Sequence, residues 1–350
     1  MGTIRRLLRS GGNSAEEESR PQTSRASVDE QLAALDALPP AAAERRELLA
    51  QSLGARNARV VAKAARLAED SLAYDLVPQL LSAWPRFVDK PAKTDPSCIA
   101  KKALARALVA LDCTDAEFFL RALAYRQPEP VWGGTVDTAV DVRCSCAMGL
   151  VASGYSRALA ELATLLNDEE AEARAGAVRA VTCGNPREAE LVLRMKVSSG
   201  DSAPGVLGEC FTGLLAVAPE ESLAVVAKYL DAAEEAVREL AALALGESRL
   251  DAALPPLLAA WEQPLQSRSV RRALLRAAVA HRSETALAWL LSLAAEARVE
   301  TALEVVEALA LYKHNATLAT RLGAVLAERG EPSLTARYAE LWRSGRPSTS

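Results

Sequence analysis

Through most of this chain, apolar side chains return every four positions in short runs, and several of these runs follow an acidic or amide residue that is answered six positions later by a base. Four copies carry both groups: Asn57 with Lys63, Asp95 with Lys101, Asp137 with Arg143, and Asp168 with Arg174. Later copies keep the apolar pattern with looser chemistry, at Asp201 with Leu207, at Asp231 with Val237 and Arg238, and then around Arg271 and Glu300. Positions five, nine and thirteen after the opening residue share a helical face, because four residues advance the chain by about one turn. They read Val142, Cys146, Leu150; Ala173, Ala177, Val181; Val206, Cys210, Leu214; and Ala236, Leu240, Ala244, so each run is expected to be a helix with this stripe in a core. The anchors 63, 101, 143, 174, 207, 238, 271 and 300 step by 38, 42, 31, 33, 31, 33 and 29, a period that suits one helical hairpin per unit. About eight hairpins are predicted. No sheet is expected, since β-branched and aromatic runs are scarce and no stretch alternates polar and apolar residues between hairpin turns.

The first helix of the unit has an echo of its own. Leu76-Val-Pro-Gln-Leu-Leu-Ser-Ala-Trp84 recurs as Ala253-Leu-Pro-Pro-Leu-Leu-Ala-Ala-Trp261, with a proline where a helix tolerates one, near its start. Together these residues resemble the HEAT family over roughly residues 28 to 345, and the shorter steps are similar to its bacterial subgroup of phycobilisome-lyase-type repeats. The resemblance implies an all-α fold, a right-handed superhelical α-solenoid with second helices lining its concave face. In that family the Asp inside the hairpin caps the second helix and the base reaches a neighbouring unit's Asp. Ladder roles are thereby implied for Asp95, Lys101, Asp137, Arg143, Asp168 and Arg174, with interruptions at Leu207 and Glu300.

Three stretches depart from the repeat. Residues 1–26 mix Gly, Ser and a Glu16-Glu17-Glu18 run that cannot offset the entropy of ordering, so a disordered tail is expected there and another at 346–350, flanking a single solenoid over 27–345. Ser27, followed by acidic residues, marks the first helix start. The long step before Arg143 holds Tyr125-Arg126-Gln-Pro-Glu-Pro-Val-Trp132-Gly-Gly-Thr135, whose prolines and glycines are expected to stop both helix and strand. Trp132 there either meets a partner or folds back to fill the gap left by the irregular spacing. Glycines at 149, 176, 205, 208 and 213 inside second helices each cost about 0.5–1 kcal/mol relative to Ala and suggest close approach of another backbone. With them, Cys144, Ser145, Ala175, Gly176, Gly208 and Thr212 make a run of small side chains. It serves either as a shallow groove for a partner or as a seam between helices.

Composition narrows the chemistry. The 350 residues are 50% hydrophobic but 4% aromatic, which favours closely packed helices of Leu, Ala and Val. A formal charge of -4 argues against nucleic acid as a partner, and no apolar run approaches the ~20 residues that span a bilayer, so cytoplasmic residence without membrane contact is expected. The six cysteines form no CxxC pair, and Cys146 and Cys210 occupy a stripe position that Ala177 fills elsewhere, which makes them small apolar packers and leaves disulfides and zinc unsupported. His281 and His314 are too few for a triad, a multi-histidine metal site or the repeated His-Glu pairs of a di-iron HEAT hydroxylase. No metal or cofactor is expected. The expected role is a non-catalytic scaffold holding a protein or peptide of unidentified nature on the concave face of the solenoid, using the 125–143 segment and the small-residue groove. The alternatives are a HEAT-like enzyme, of the bilin lyase or alkylpurine DNA glycosylase type that the family includes, or a structural subunit of a larger assembly.

Overall fold

The computed structural model describes residues 27–264 and 266–343, and they form an all-α solenoid of helical hairpins. The tails expected at 1–26 and 346–350 lie outside the described residues. A starting helix α1 (Val28–Asp36) precedes the hairpins α2 (Ala42–Leu53) with α3 (Ala58–Asp70), and α4 (Val77–Ala83) with a short α5 (Pro91–Thr94) in its turn and α6 (Ile99–Ala110). Next come α7 (Ala116–Leu123), the strands β1 (Pro128–Val131) and β2 (Gly134–Asp137), and α8 (Val140–Ala152). The array continues with α9 (Ala158–Leu165) and α10 (Ala171–Thr182), α11 (Pro186–Ser199) and α12 (Pro204–Val217), and α13 (Pro219–Ala227) and α14 (Glu235–Ser248). It closes with α15 (Leu254–Trp261) and α16 (Arg268–His281), α17 (Glu284–Glu296) and α18 (Val299–Leu309), and α19 (Ala316–Arg329) and α20 (Pro332–Arg343). The eight sequence anchors fall on the second helices α3 to α18, and α19 with α20 adds a closing pair.

Capping chemistry starts many of these helices. Ser27 and Glu30 exchange side-chain bonds with each other's backbone in a capping box, and Asn57, Asp115, Asn185, Ser267, Ser283 and Asn315 each accept a bond from a first-turn amide. Pro78 and Pro255 sit in the first turns of α4 and α15, where a missing N–H costs nothing. Trp84 and Trp261, which end the two echoed segments, each meet an aromatic ring of the following unit edge-on, Phe118 at 5.1 Å and Trp289 at 5.5 Å.

Second helices form the tight layer, with α3, α6, α8, α10, α12, α14 and α16 each packed on the next. The predicted stripe is buried in three units: Val142, Cys146 and Leu150, then Ala173, Ala177 and Val181, then Val206, Cys210 and Leu214. In α14 the stripe moves on by one residue, to Val237, Ala241 and Leu245, leaving Ala236 exposed and Leu240 half-buried. The turn explains the shift: α14 is capped by Glu234, three residues after Asp231, whereas Glu170 and Ala203 stand two residues after Asp168 and Asp201.

Glycine notches let these helices approach. A Cβ on Gly176 would lie 2.5 Å from Cys144 Sγ, one on Gly213 2.5 Å from Thr182 Oγ1, and one on Gly149 2.3 Å from the Phe119 ring. At Gly149 and Gly213 those neighbours are side chains, while at Gly176 the Cys144 Cα also comes within 3.1 Å, as the sequence anticipated. Closer backbone approach occurs at Gly246, where a Cβ would come within 2.3–2.6 Å of Ala277 main-chain atoms, and Gly205 has open space around it.

The absence of a sheet is corrected at one place. β1 and β2 pair antiparallel, with Val131 opposite Gly134 and Pro128 opposite Asp137. The prolines do not prevent this. Thr138 N–H donates to Gln127 O (3.0 Å), so the odd positions of β1 face the ladder while Pro128 and Pro130 stand where an N–H would point away from it. Gly133 supplies φ 89° at the second corner of the two-residue turn. Among the described residues no helix is long and apolar enough to cross a membrane.

Two glycine substitutions separate packing from propensity. Gly246→Ala forces α14 away from α16 and is expected to lower stability by about 1–3 kcal/mol, whereas Gly205→Ala is expected to leave it unchanged or raise it by up to about 1 kcal/mol. Urea denaturation of both variants measures the difference.

Candidate functional site

The turns joining first to second helices lie side by side, and the aspartates there do two jobs. Asp137, Asp168 and Asp201 each accept the amide two residues on, from Ala139 (2.9 Å), Glu170 (3.0 Å) and Ala203 (2.8 Å), closing the start of α8, α10 and α12. The same carboxylates take cations. Arg143, fully buried, donates to Asp137 (2.5 Å) in its own unit, to Asp168 (3.1 Å) in the next, and to Tyr125 O (3.1 Å). Arg174 reaches forward in the same way, making two bonds to Asp201 at 2.7 and 2.8 Å and a third to Asp168 O. Such paired, charge-assisted bonds suit the planar guanidinium.

The two lysines behave differently from the ladder that the family resemblance implied. Lys101 turns back on its own unit, to Asp95 and Phe87 O (both 2.8 Å), and Lys63 reaches the preceding Asp36 and Leu32 O. Asp95 is itself saturated by the amides of Ala100 and Lys101, and Gln127 Nε2 takes its carbonyl, so the inserted hairpin occupies the place a forward pair would need. At Leu207, which is buried, the row is interrupted: Asp201 takes Lys196 as its second cation, and Asp231 receives Gln263 from the following unit. Glu300 is exposed.

The hairpin is built onto this row. Its base is tied by Glu129, which accepts the Ser97 amide with both oxygens (2.8 and 3.0 Å) and bonds to Gln127 and Thr138, and by Asp137, which accepts the Gln127 amide. Its tip is bare. Trp132 is completely exposed at 104% of its reference area, with Val131 and Val136 about half exposed beside it. Trp132 therefore does not fold back into the gap. Tyr125, by contrast, belongs to the packing: its ring lies 6.0 Å from Trp84 and 5.4 Å from the Lys101 ammonium, and burial pushes its hydroxyl pKa well up. Arg126 is half exposed and bonds to Asp168 (2.5 Å).

A cleft of about 750 Å³ opens between the hairpin and the next turn. Pro128, Thr135 and Asp137 form one wall, and α9 with residues 167–170 forms the other. The small-residue run lies away from it. Ala175, Gly176 and Gly208 are buried beneath neighbouring helices, Cys144 and Ser145 are half-buried, and only Thr212 is exposed. Sequence reasoning missed Glu129 and Gln127 as the anchors of the hairpin. The alternation Pro128-Glu129-Pro130 was the available signal, because prolines two apart leave the intervening residue to make the ladder bonds.

Four of the six cysteines are buried, Cys144 is half-buried and Cys183 is exposed. Burial raises the thiols of Cys98 and Cys210 to about 12 and Cys146 further still. His281, buried, is held between Leu250 O and Ser283 Oγ, each at 2.9 Å. Among the described residues no group of three or more His, Cys, Asp or Glu is placed to hold a metal ion.

No family model matches the chain, and no curated protein matches it. Among solved structures it is similar to human deoxyhypusine hydroxylase in complex with glycerol, at 17% identity over 83% of this chain and 92% of that one, with a TM-score of 0.24. It is also similar to two engineered proteins. One is 19% identical, covering 93% of this chain and 97% of that one at a TM-score of 0.35, and the other is 16% identical, covering 86% and 97% at 0.20.

Arg143→Met leaves Asp137 facing a hydrocarbon and is expected to cost about 3–5 kcal/mol, read from the shift in denaturation midpoint. Acid acts on the same row. Burial alone would raise the carboxyls of Asp137 and Asp201, but the Gln127 and Ala139 amides with Arg143, and Arg174 with Lys196, outweigh it and hold both below the ordinary 3.8. Their stabilisation is complete above that value and is lost as the pH falls through the folded values. Asp201→Asn is accordingly expected to flatten the acid limb of a stability-against-pH curve below about pH 4.

Proposed function

We propose that this chain is a non-catalytic scaffold of HEAT-like repeats, of the bacterial phycobilisome-lyase-type subgroup, that holds a protein partner at the β1–β2 hairpin. The observation that carries this reading is Trp132: an indole wholly in water at the tip of a hairpin whose base is bonded to the preceding turn through Glu129 and Ser97 and, at Arg126 beside it, to the following turn through Asp168. A tryptophan covers 150–250 Å², which at about 25 cal/mol per Å² corresponds to roughly 4–6 kcal/mol of gross burial energy left unused in the free chain. Anchored aromatic side chains of this kind dominate binding energy where a partner covers them. The repeat spacing and the forward-reaching Arg143 and Arg174 support the HEAT-like assignment, and the raised thiols of the buried Cys98, Cys146 and Cys210 with the buried, doubly bonded His281 favour a binding over a chemical role.

Trp132→Ala tests it. The variant is expected to keep the helical circular dichroism and melting temperature of the parent, while capture of the partner from extracts of the source cells falls at least about tenfold. An unchanged set and amount of co-purifying proteins would remove the hairpin from the function.

A further inference from the structure

We infer that the outer edge of β2 is a docking rail for an extended segment of the partner in which basic and apolar residues alternate. This rests on the scaffold reading above and specifies what the hairpin pairs with. The two edges of the hairpin are unequal. Positions 127, 129 and 131 of the first strand pair inward with 138, 136 and 134, so 128, 130, 135 and 137 turn their main-chain groups outward. On β1 those positions are Pro128 and Pro130, which have no N–H and close that edge. On β2 they are Thr135 and Asp137, whose N–H groups have no hydrogen-bond partner among the described residues. An unpaired edge of this kind accepts an added strand.

The side chains of the added strand would continue the two faces of the hairpin. One face carries Val131 and Val136, about half exposed, with Trp132 at the end. The other carries Pro128, Thr135 and Asp137 and fronts the cleft. Five acids line that cleft, Asp137, Glu161, Asp168, Glu169 and Glu170, against Arg126 and Arg143, an excess of three negative charges (five minus two). Both arginines are already engaged by Asp137 and Asp168, while the carboxylates of Glu161 and Glu169 have no hydrogen-bond or ion-pair partner among the described residues. A strand laid on β2 therefore meets apolar surface on one side and unneutralised carboxylates on the other. Alternating apolar and cationic residues complement it.

The test uses a fluorescein-labelled peptide of about eight alternating lysines and valines, an alternating glutamate and valine control, and two N-methylated forms of the first, each blocked at one set of alternate amides. Anisotropy is read on the full chain and on Thr135→Pro, which mirrors Pro130 and removes an outward N–H without touching the inward ladder. The expected result is binding of the lysine peptide, at least about tenfold weaker binding to Thr135→Pro, abolition by one N-methylated form and tolerance of the other. Glu161→Gln with Glu169→Gln should weaken binding and reduce its dependence on salt. Equal binding to Thr135→Pro, equal binding of both N-methylated forms, equal binding of the glutamate peptide, or no binding of the lysine peptide at millimolar concentration would each overturn the inference. A dimer that Thr135→Pro converts to monomer in light scattering would overturn it too, assigning the edge to a second copy of this chain. If Thr135→Pro fails to fold, the two N-methylated peptides decide alone. Partner capture that survives Thr135→Pro but not Trp132→Ala would sink the rail and leave the scaffold standing.

Discussion

A helical hairpin in this array has one apolar face and no second layer of its own to cover it. Each second helix is covered by the next one along, which is why α8, α10, α12 and α14 are packed into a continuous layer and why its residues are so small. Gly176 against Cys144, Gly213 against Thr182 and Gly246 against the Ala277 backbone are the local form of that requirement, since a single methyl group at any of them would push neighbouring helices away from each other. Stability in such a stack is a sum over neighbours.

The turn layer adds directional bonds to that non-directional burial. Arg143 and Arg174 fasten one turn to the next through Asp168 and Asp201, while the same aspartates close the helices that follow them. Burying ions is costly, and the arrangement holds because each carboxylate also receives backbone amides. The hairpin takes advantage of this rigidity. Its base shares Asp137 with the ladder and Glu129 with the preceding turn, so the exposed Trp132 is presented from an ordered support rather than from a loose loop.

Much of this was legible in the sequence because helical periodicity and neighbour packing speak the same four-residue language. The stripes around Cys146, Ala177 and Cys210 could be read from spacing, which also singled out Asp137, Arg143, Asp168 and Arg174, while their reach from one unit to the next was implied by the resemblance to the HEAT family. The shifted stripe in α14 could not, because it depends on one extra turn residue between Asp231 and Glu234. The hairpin was hidden by its prolines, which ordinarily exclude a strand and here sit only at outward positions. The direction in which a cation reaches was equally invisible: Lys101 and Arg143 occupy the same repeat position, yet one turns back and the other forward. The small residues at 175, 176 and 208 were ambiguous between seam and surface, since spacing alone does not say which side of a helix another helix will cover.

The claim that stability passes only between neighbours is tested most directly by hydrogen exchange of Arg143→Met against the parent chain. The account predicts faster exchange confined to the hairpin, α8 and the turn and first residues of α10, with the amides of α16 to α20 unchanged. Uniform acceleration from α1 to α20 would show one cooperative core and contradict it.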